Sequence, residues 1–122
     1  MKKLLLILTI ATMAIACNSE KKYQSVDTKE FSQIISSNNI QLVDARTPAE
    51  YAEGHIPGAQ NIDVKNDDFD SQILTLDKTR PVAVYCRSGR RSKQAAERLS
   101  DAGYKVIELN KGILSWNGDI QK

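Results

Sequence analysis

The chain has 122 residues, 17 of them Lys or Arg and 15 Asp or Glu, for a formal net charge of +2. That length suits one domain with a modest single core, and the near balance of charge argues against a nucleic-acid binder driven by bulk charge. Two cysteines and one histidine, with no CxxC pair, give no basis for a metal site, a dithiol redox centre or any other cofactor.

Met1-Lys2-Lys3 is a basic start, Leu4 to Ala16 is an apolar run, and Cys17 ends it. The run is too short to span a bilayer as a mature helix and has the shape of a secretory signal. Ala14-Ile15-Ala16-Cys17 looks like the processing site of a bacterial lipoprotein, in which residues 1–16 are removed and Cys17 is acylated. Simple secretion with cleavage near Ala16 and an uncleaved signal anchor are the alternatives. Residues 17–22 would then tether the lipid to a domain spanning residues 23–122. The expected location is the bacterial cell envelope, at the periplasmic side, with the membrane reached by the lipid anchor only. Processing takes away Lys2 and Lys3 and leaves 106 residues with 15 basic and 15 acidic side chains.

Helix and strand signals alternate along the mature chain. Residues 23–26 suit a short edge strand. Thr28 is placed to cap a helix over residues 29–36, where Phe31, Ile34 and Ile35 fall at helical spacing. Residues 40–43 read as a buried strand leading into Asp44. Thr47-Pro48-Ala49-Glu50 is a capping box with proline at the first helical position, so a short helix runs to about residue 53 and stops at Gly54. His55-Ile56-Pro57-Gly58 is turn chemistry, and residues 59–62 suit the next strand. Residues 68–76 suit a helix, 82–85 a central strand, 92–102 a helix stopped by Gly103, and 105–109 a last strand before a turn over 112–116. This rhythm implies an α/β fold, a mainly parallel sheet with helices on both faces, whose functional site lies at the carboxyl ends of the strands.

The most informative stretch is Val82-Ala83-Val84-Tyr85-Cys86-Arg87-Ser88-Gly89-Arg90-Arg91-Ser92. An apolar strand delivers a cysteine to a short loop with glycine and three arginines, just before a helix. Backbone N–H groups of such a turn point inward, and the positive end of the helix dipole adds to them. Together with Arg87, Arg90 and Arg91 they favour the thiolate of Cys86, making it a nucleophile. If Cys17 is lipidated, Cys86 has no partner in the chain, and an unpaired thiol in an exported protein is easiest to understand if it is used.

Val43-Asp44-Ala45-Arg46, Glu50-Tyr51, Gly54-His55-Ile56-Pro57-Gly58-Ala59 and the segment Cys86 to Ser92 together resemble the single-domain rhodaneses, over about residues 23–120. A weaker feature is Lys111-Gly112-Ile113-Leu114-Ser115-Trp116, in which Lys111 replaces the first of the family's usual two glycines. The resemblance implies the three-layer rhodanese-like fold and sulfurtransferase activity of the thiosulfate type. A sulfane sulfur from a small anion such as thiosulfate is held as a Cys86 persulfide and passed to cyanide or a thiol. Cys86 is then the catalytic residue, and Arg87, Ser88, Gly89, Arg90 and Arg91 form the substrate-binding loop. Physical chemistry fits this reading, because guanidinium groups orient a dianion and a cradle of N–H donors stabilises the persulfide anion.

Cysteine phosphatases, and with them arsenate reductases, are the rival enzymes. Their clamping arginine stands at the sixth position after the cysteine, where this chain has Ser92. A non-catalytic binding module or a carrier working with a protein thiol is the third reading. His55 is expected to hold its turn, and Asp44 and Arg46 to pair with each other or with nearby backbone, as structural support. Asp67, Asp68 and Asp70 lack the pattern of a calcium loop, Trp116 suits packing, and Ser88 either bonds substrate or shapes the turn. Nothing in the sequence calls for a dimer, and a monomer is expected.

Overall fold

The apolar run at residues 82–85 becomes the middle of a sheet. The structure, a computed structural model, describes residues 22–122; the expected signal segment 1–16, the acylation candidate Cys17 and the tether up to residue 21 lie outside the described residues. In chain order the elements are β1 (Gln24–Val26), α1 (Thr28–Ile35), β2 (Gln41–Asp44), α2 (Pro48–Glu53), β3 (Gln60–Asn61), α3 (Phe69–Gln72), a 3-10 turn (Ile73–Thr75), β4 (Val82–Tyr85), α4 (Arg90–Asp101), β5 (Val106–Leu109) and a second 3-10 turn (Ile113–Ser115). The strands form one five-stranded sheet in the order β1-β5-β4-β2-β3, and every pairing is parallel.

A parallel strand covered on both faces has no polar side, which is why β4 reads as an unbroken apolar run. Its pleat sends Val82 and Val84 into a core with Phe69, Ile73, Ala95, Ala96 and Leu99, beneath α3 and α4. Ala83 and Tyr85 face the other way, into a core with Phe31, Ile56, Ile107 and Leu109, beneath α1. This is the expected α/β arrangement with helices on both faces. Among the described residues no helix is long and apolar enough to cross a membrane.

Local details differ from the sequence reading where two signals competed. Asp27, not Thr28, caps α1: its carboxylate accepts the Glu30 N–H at 2.9 Å. A charged acceptor suits the positive helix end better, and the Thr28 hydroxyl instead donates to the Ser115 carbonyl at 3.1 Å. The helix expected over residues 68–76 tightens into a 3-10 turn after Gln72, which keeps both Ile73 and Leu76, three apart, inside the core. The α4 helix starts at Arg90 rather than Ser92, with Gly89 as its cap. Arg90 and Arg91 therefore belong to the first helical turn rather than to the loop.

Since all strands run the same way, the residues that follow β1, β2, β4 and β5 share one edge of the sheet. Cys86, directly after β4, stands at the centre of that edge.

Candidate active site

The loop that joins β4 to α4 is only three residues long after the cysteine. Its closing turn requires glycine twice over. Gly89 sits at φ 101°, and a Cβ there would lie 1.9 Å from the Asn110 carbonyl oxygen. The backbone is thereby folded tightly enough for the Gly89 N–H to donate to Cys86 Sγ at 3.1 Å. Cys86 is 1% exposed, and its sulfur lies at the N-terminal end of α4, where unpaired N–H groups and the helix dipole favour negative charge. The loop is held from the other side by the second 3-10 turn. Ile113 N–H donates to the Cys86 carbonyl at 2.8 Å and Leu114 N–H to the Arg87 carbonyl at 3.1 Å. Gly112, at φ 65°, permits that approach, since a Cβ there would fall 2.3 Å from the Arg87 oxygen. Lys111 has no left-handed backbone, which explains how a lysine replaces the first of two glycines.

The three arginines separate into two kinds. Arg91 is anchored: its Nη1 and Nη2 donate to Glu50 at 2.6 and 2.9 Å. Arg91 holds the Glu50 carboxyl down at about 2, mainly through these hydrogen bonds, and the same bonds raise Arg91 against an opposing effect of burial. Glu50 is also the capping-box residue of α2, accepting the Thr47 N–H at 3.3 Å. One carboxylate thus ties α2 to the first turn of α4. Arg87 and Arg90 are exposed and have no ion pair among the described residues. Ser88, Arg90 and Arg91, with Glu50, Lys65 and Gln94, line a cleft of about 510 Å³ beside the loop. A larger depression of about 640 Å³, between α1 and the segment at Ser115 and Asn117, is not lined by Cys86 or its loop.

Beneath the sulfur lies a second polar layer. Ser92 Oγ is 3.4 Å from Cys86 Sγ and donates to Glu108 Oε2 at 2.8 Å. Glu108 is fully buried in β5, and its other oxygen is met by the Ser25 hydroxyl and by Lys93 Nζ at 3.0 Å. The sequence offered Lys93 only as one of four clustered basic charges and Glu50 only as a capping and family-motif residue, and it did not flag Glu108 for the site. A glutamate inside the apolar strand Val106-Ile107-Glu108-Leu109 was the signal available for the last of them, because such a charge needs partners.

The supporting residues form a separate cluster. Arg46 Nη2 and Nε contact Asp44 at 2.7 and 3.0 Å, and Nη2 also donates to the Gly54 carbonyl at 2.7 Å. Burial works against the Arg46 charge, but Asp44 outweighs it and raises the guanidinium. His55 stacks on Tyr51 with ring centroids 3.7 Å apart, and its Nδ1 donates to the Tyr51 carbonyl at 2.9 Å. The Ile56 N–H donates to the Tyr85 hydroxyl at 3.0 Å. The hydrogen bonds of His55 thus go to Tyr51 and, through its backbone, to Gln121, and none reaches Cys86. Cys86, Gly89, Arg91 and Ser92 are brought together, Arg87, Ser88 and Arg90 stand at the rim, and Asp44, Arg46 and His55 brace the turn before β3. Among the described residues no group of His, Cys, Asp and Glu could hold a metal ion.

This geometry has relatives. A sulfurtransferase from Allochromatium vinosum is 39% identical over 93 residues, covering 75% of this chain and 85% of that protein. A tRNA uridine(34) hydroxylase from Pelagibacter ubique is 32% identical over 116 residues, 93% of this chain but 38% of that protein. Among solved structures, a rhodanese-related protein from Thermoplasma volcanium superposes with a TM-score of 0.73 at 26% identity, over 81% of this chain and 98% of that one. Residues 27–119 match the rhodanese-like domain, and the chain belongs to that family.

Proposed function

We propose that the protein is a sulfurtransferase in which Cys86 takes a sulfane sulfur from thiosulfate or a similar donor, holds it as a persulfide, and passes it to cyanide or a thiol. The observation that carries this reading is the Gly89 N–H at 3.1 Å from a cysteine sulfur seated at the start of α4. The thiolate attacks the outer sulfur of thiosulfate, the S–S bond of the donor breaks, and sulfite leaves with the electron pair. The new terminal sulfur carries the negative charge into the cleft beside Ser88 and Arg90. There the helix end and the guanidinium groups stabilise it, and preorganised donors cost no reorganisation during the step. Arg87 and Arg90, without an ion pair among the described residues, attract the dianion at the rim, while Arg91 keeps its place through Glu50.

The short loop favours this chemistry over phosphoryl transfer. Three residues separate Cys86 from α4, and the nearest arginine to the phosphatase clamp position, Arg91, already gives both terminal nitrogens to Glu50. A binding role alone would leave the thiol and the exposed arginines without use. No cofactor or metal enters the reaction scheme, and no nucleic acid is required. Thiocyanate release from thiosulfate and cyanide tests the activity: native protein turns over, Cys86→Ser does not, and an aryl phosphate is untouched by both. Phosphate release from the aryl ester without thiocyanate formation would overturn the assignment.

We propose further that the protein works as a monomer in the bacterial envelope, on the periplasmic side, exported by residues 1–16 and anchored through acylated Cys17. Labelling with radioactive palmitate, lost in Cys17→Ser, checks the anchor, and an unlabelled native protein would contradict it.

A further inference from the structure

Cys86 is 1% exposed as a residue, and its sulfur makes a contact that points inward, away from the cleft. Among the described residues, a chain of polar atoms leaves the sulfur inward through Ser92 Oγ at 3.4 Å and then Glu108 Oε2 at 2.8 Å from that hydroxyl. Ser92 carries a single proton, and the 2.8 Å contact commits it to Glu108. Its lone pairs are therefore what it offers the sulfur, and an S–H can donate to them. A hydroxyl that donates to the thiolate instead leaves Glu108 Oε2 without its Ser92 donor, and a proton on that oxygen makes good the loss. From these contacts we propose that Glu108, acting through Ser92 as a positioning residue, receives the proton of Cys86 when the sulfur becomes a nucleophile and returns it when the sulfur leaves. This rests on the sulfurtransferase reading and deepens it.

The two oxygens of Glu108 have different partners. From α4, Lys93 Nζ approaches Oε1 at 3.0 Å, and from β1 the Ser25 hydroxyl donates to the same oxygen. These donors occupy one oxygen and leave the other to Ser92. Lys93 does not depend on Glu108 for its place, since it also donates to the Gly89 carbonyl at 3.2 Å and to the Asn110 carbonyl and side-chain oxygens, each at 3.1 Å. Its side chain is 37% exposed, and these other oxygens still receive its ammonium when Glu108 becomes neutral. The remaining titratable neighbours are Tyr23, ahead of β1, raised by burial first and by Glu108 second, and Cys86 itself at the end of β4. A buried carboxyl in the middle of a parallel strand is costly, and its retention is explained if it has a task beyond packing.

The step balances. The Cys86 S–H proton passes to Ser92 Oγ while the Ser92 proton passes to Glu108, and the Cys86 sulfur forms a bond to the outer sulfur of thiosulfate as the donor S–S bond breaks. The products are a persulfide anion, sulfite and a protonated Glu108. When cyanide takes the outer sulfur as thiocyanate, the Cys86 thiolate recovers the proton through Ser92. No proton is consumed in the cycle.

Two readouts on the native protein, Glu108→Gln and Ser92→Ala test this. The first is the rate of Cys86 alkylation by iodoacetamide against pH. With the relay, native alkylation falls less steeply than that of either variant as the pH is lowered below neutrality. If Glu108 were only a charge that repels the thiolate, Glu108→Gln would alkylate faster at low pH. That result, or a profile coincident with the native one, overturns the proposal. Ser92→Ala breaks the chain while leaving Glu108 its lysine, so it keeps the test open if the glutamine variant does not fold. The second readout is infrared difference spectroscopy on adding thiosulfate. A carboxyl band of a protonated acid is expected in the native protein and not in Glu108→Gln. A native protein that forms the persulfide without such a band refutes the relay. A native protein that gains no sulfur refutes the sulfurtransferase reading instead, and the alkylation profiles still decide the relay.

Discussion

The rim and the floor of the Cys86 site are built on opposite principles. At the rim, Arg87 and Arg90 are exposed and unpaired among the described residues, and Ser88 is exposed beside them. On the floor, Ser92 and Glu108 are fully buried, and each has a hydrogen-bond or ion-pair partner. Rim charges act through water, so they set encounter and orientation of an anion and are weakened by salt. Floor groups act without water, so they hold the loop and the sulfur in one geometry. Rim substitutions should therefore change substrate affinity and leave the fold intact, whereas floor substitutions should change the fold and the chemistry together.

The largest effect is expected from Gly89→Ala, because the left-handed backbone and the Asn110 carbonyl 1.9 Å from the new Cβ both oppose it. A loss of about 3 kcal/mol in urea unfolding, with no detectable thiocyanate formation, is the expected outcome. An active, stable variant would show that the tight loop is not what organises the sulfur. Next comes Glu108→Ala, which strips partners from Ser92, Ser25 and Lys93 at once. About 2 kcal/mol of destabilisation is expected, and a value near zero would mean the floor is wet rather than sealed.

At the rim, Arg90→Ala and Arg87→Ala should each raise the KM for thiosulfate about fivefold, equivalent to about 1 kcal/mol, with little change in kcat and in unfolding. The difference from native should shrink at high salt, and a loss confined to kcat would move these residues from the rim to the reacting atoms. Glu50→Gln, at the boundary, should be mildest, at about 1 kcal/mol or less. Its signature is in pH. The folded Glu50 carboxyl lies at about 2 against an ordinary 4.5, so its contribution is complete above about pH 4.5 and fades as pH falls toward 2. Native stability should therefore drop across that window more than the variant's does, and parallel curves would mean that Arg91 does not hold the charge.

The Cys86 loop and its rim were legible in the sequence, and most of the floor was not. Cys86, Gly89 and the arginines lie within six consecutive positions, after an apolar strand and before a helix, so local rules suffice to place them. The capping box at Thr47 and Glu50 was equally readable, since both partners lie within one helical turn. The Arg91 to Glu50 pair joins residues 41 apart, and the Ser25 to Glu108 contact joins residues 83 apart. Such pairs follow from the strand order, which hydrophobic periodicity does not specify. The start of α4 was misplaced for a local reason: three polar residues with no apolar spacing gave no sign that the helix begins at Arg90. The Asp27 cap was missed because Asp27 and Thr28 are both good caps and only the tertiary contact to Ser115 separates them.

The most direct test of the central claim is intact-protein mass spectrometry of the domain, before and after thiosulfate, with Cys86→Ala alongside. The gain of one sulfur atom is expected on the native protein only, removed by cyanide. A native protein with Cys86 shown to be a reduced thiol, yet unchanged in mass after thiosulfate, would contradict it.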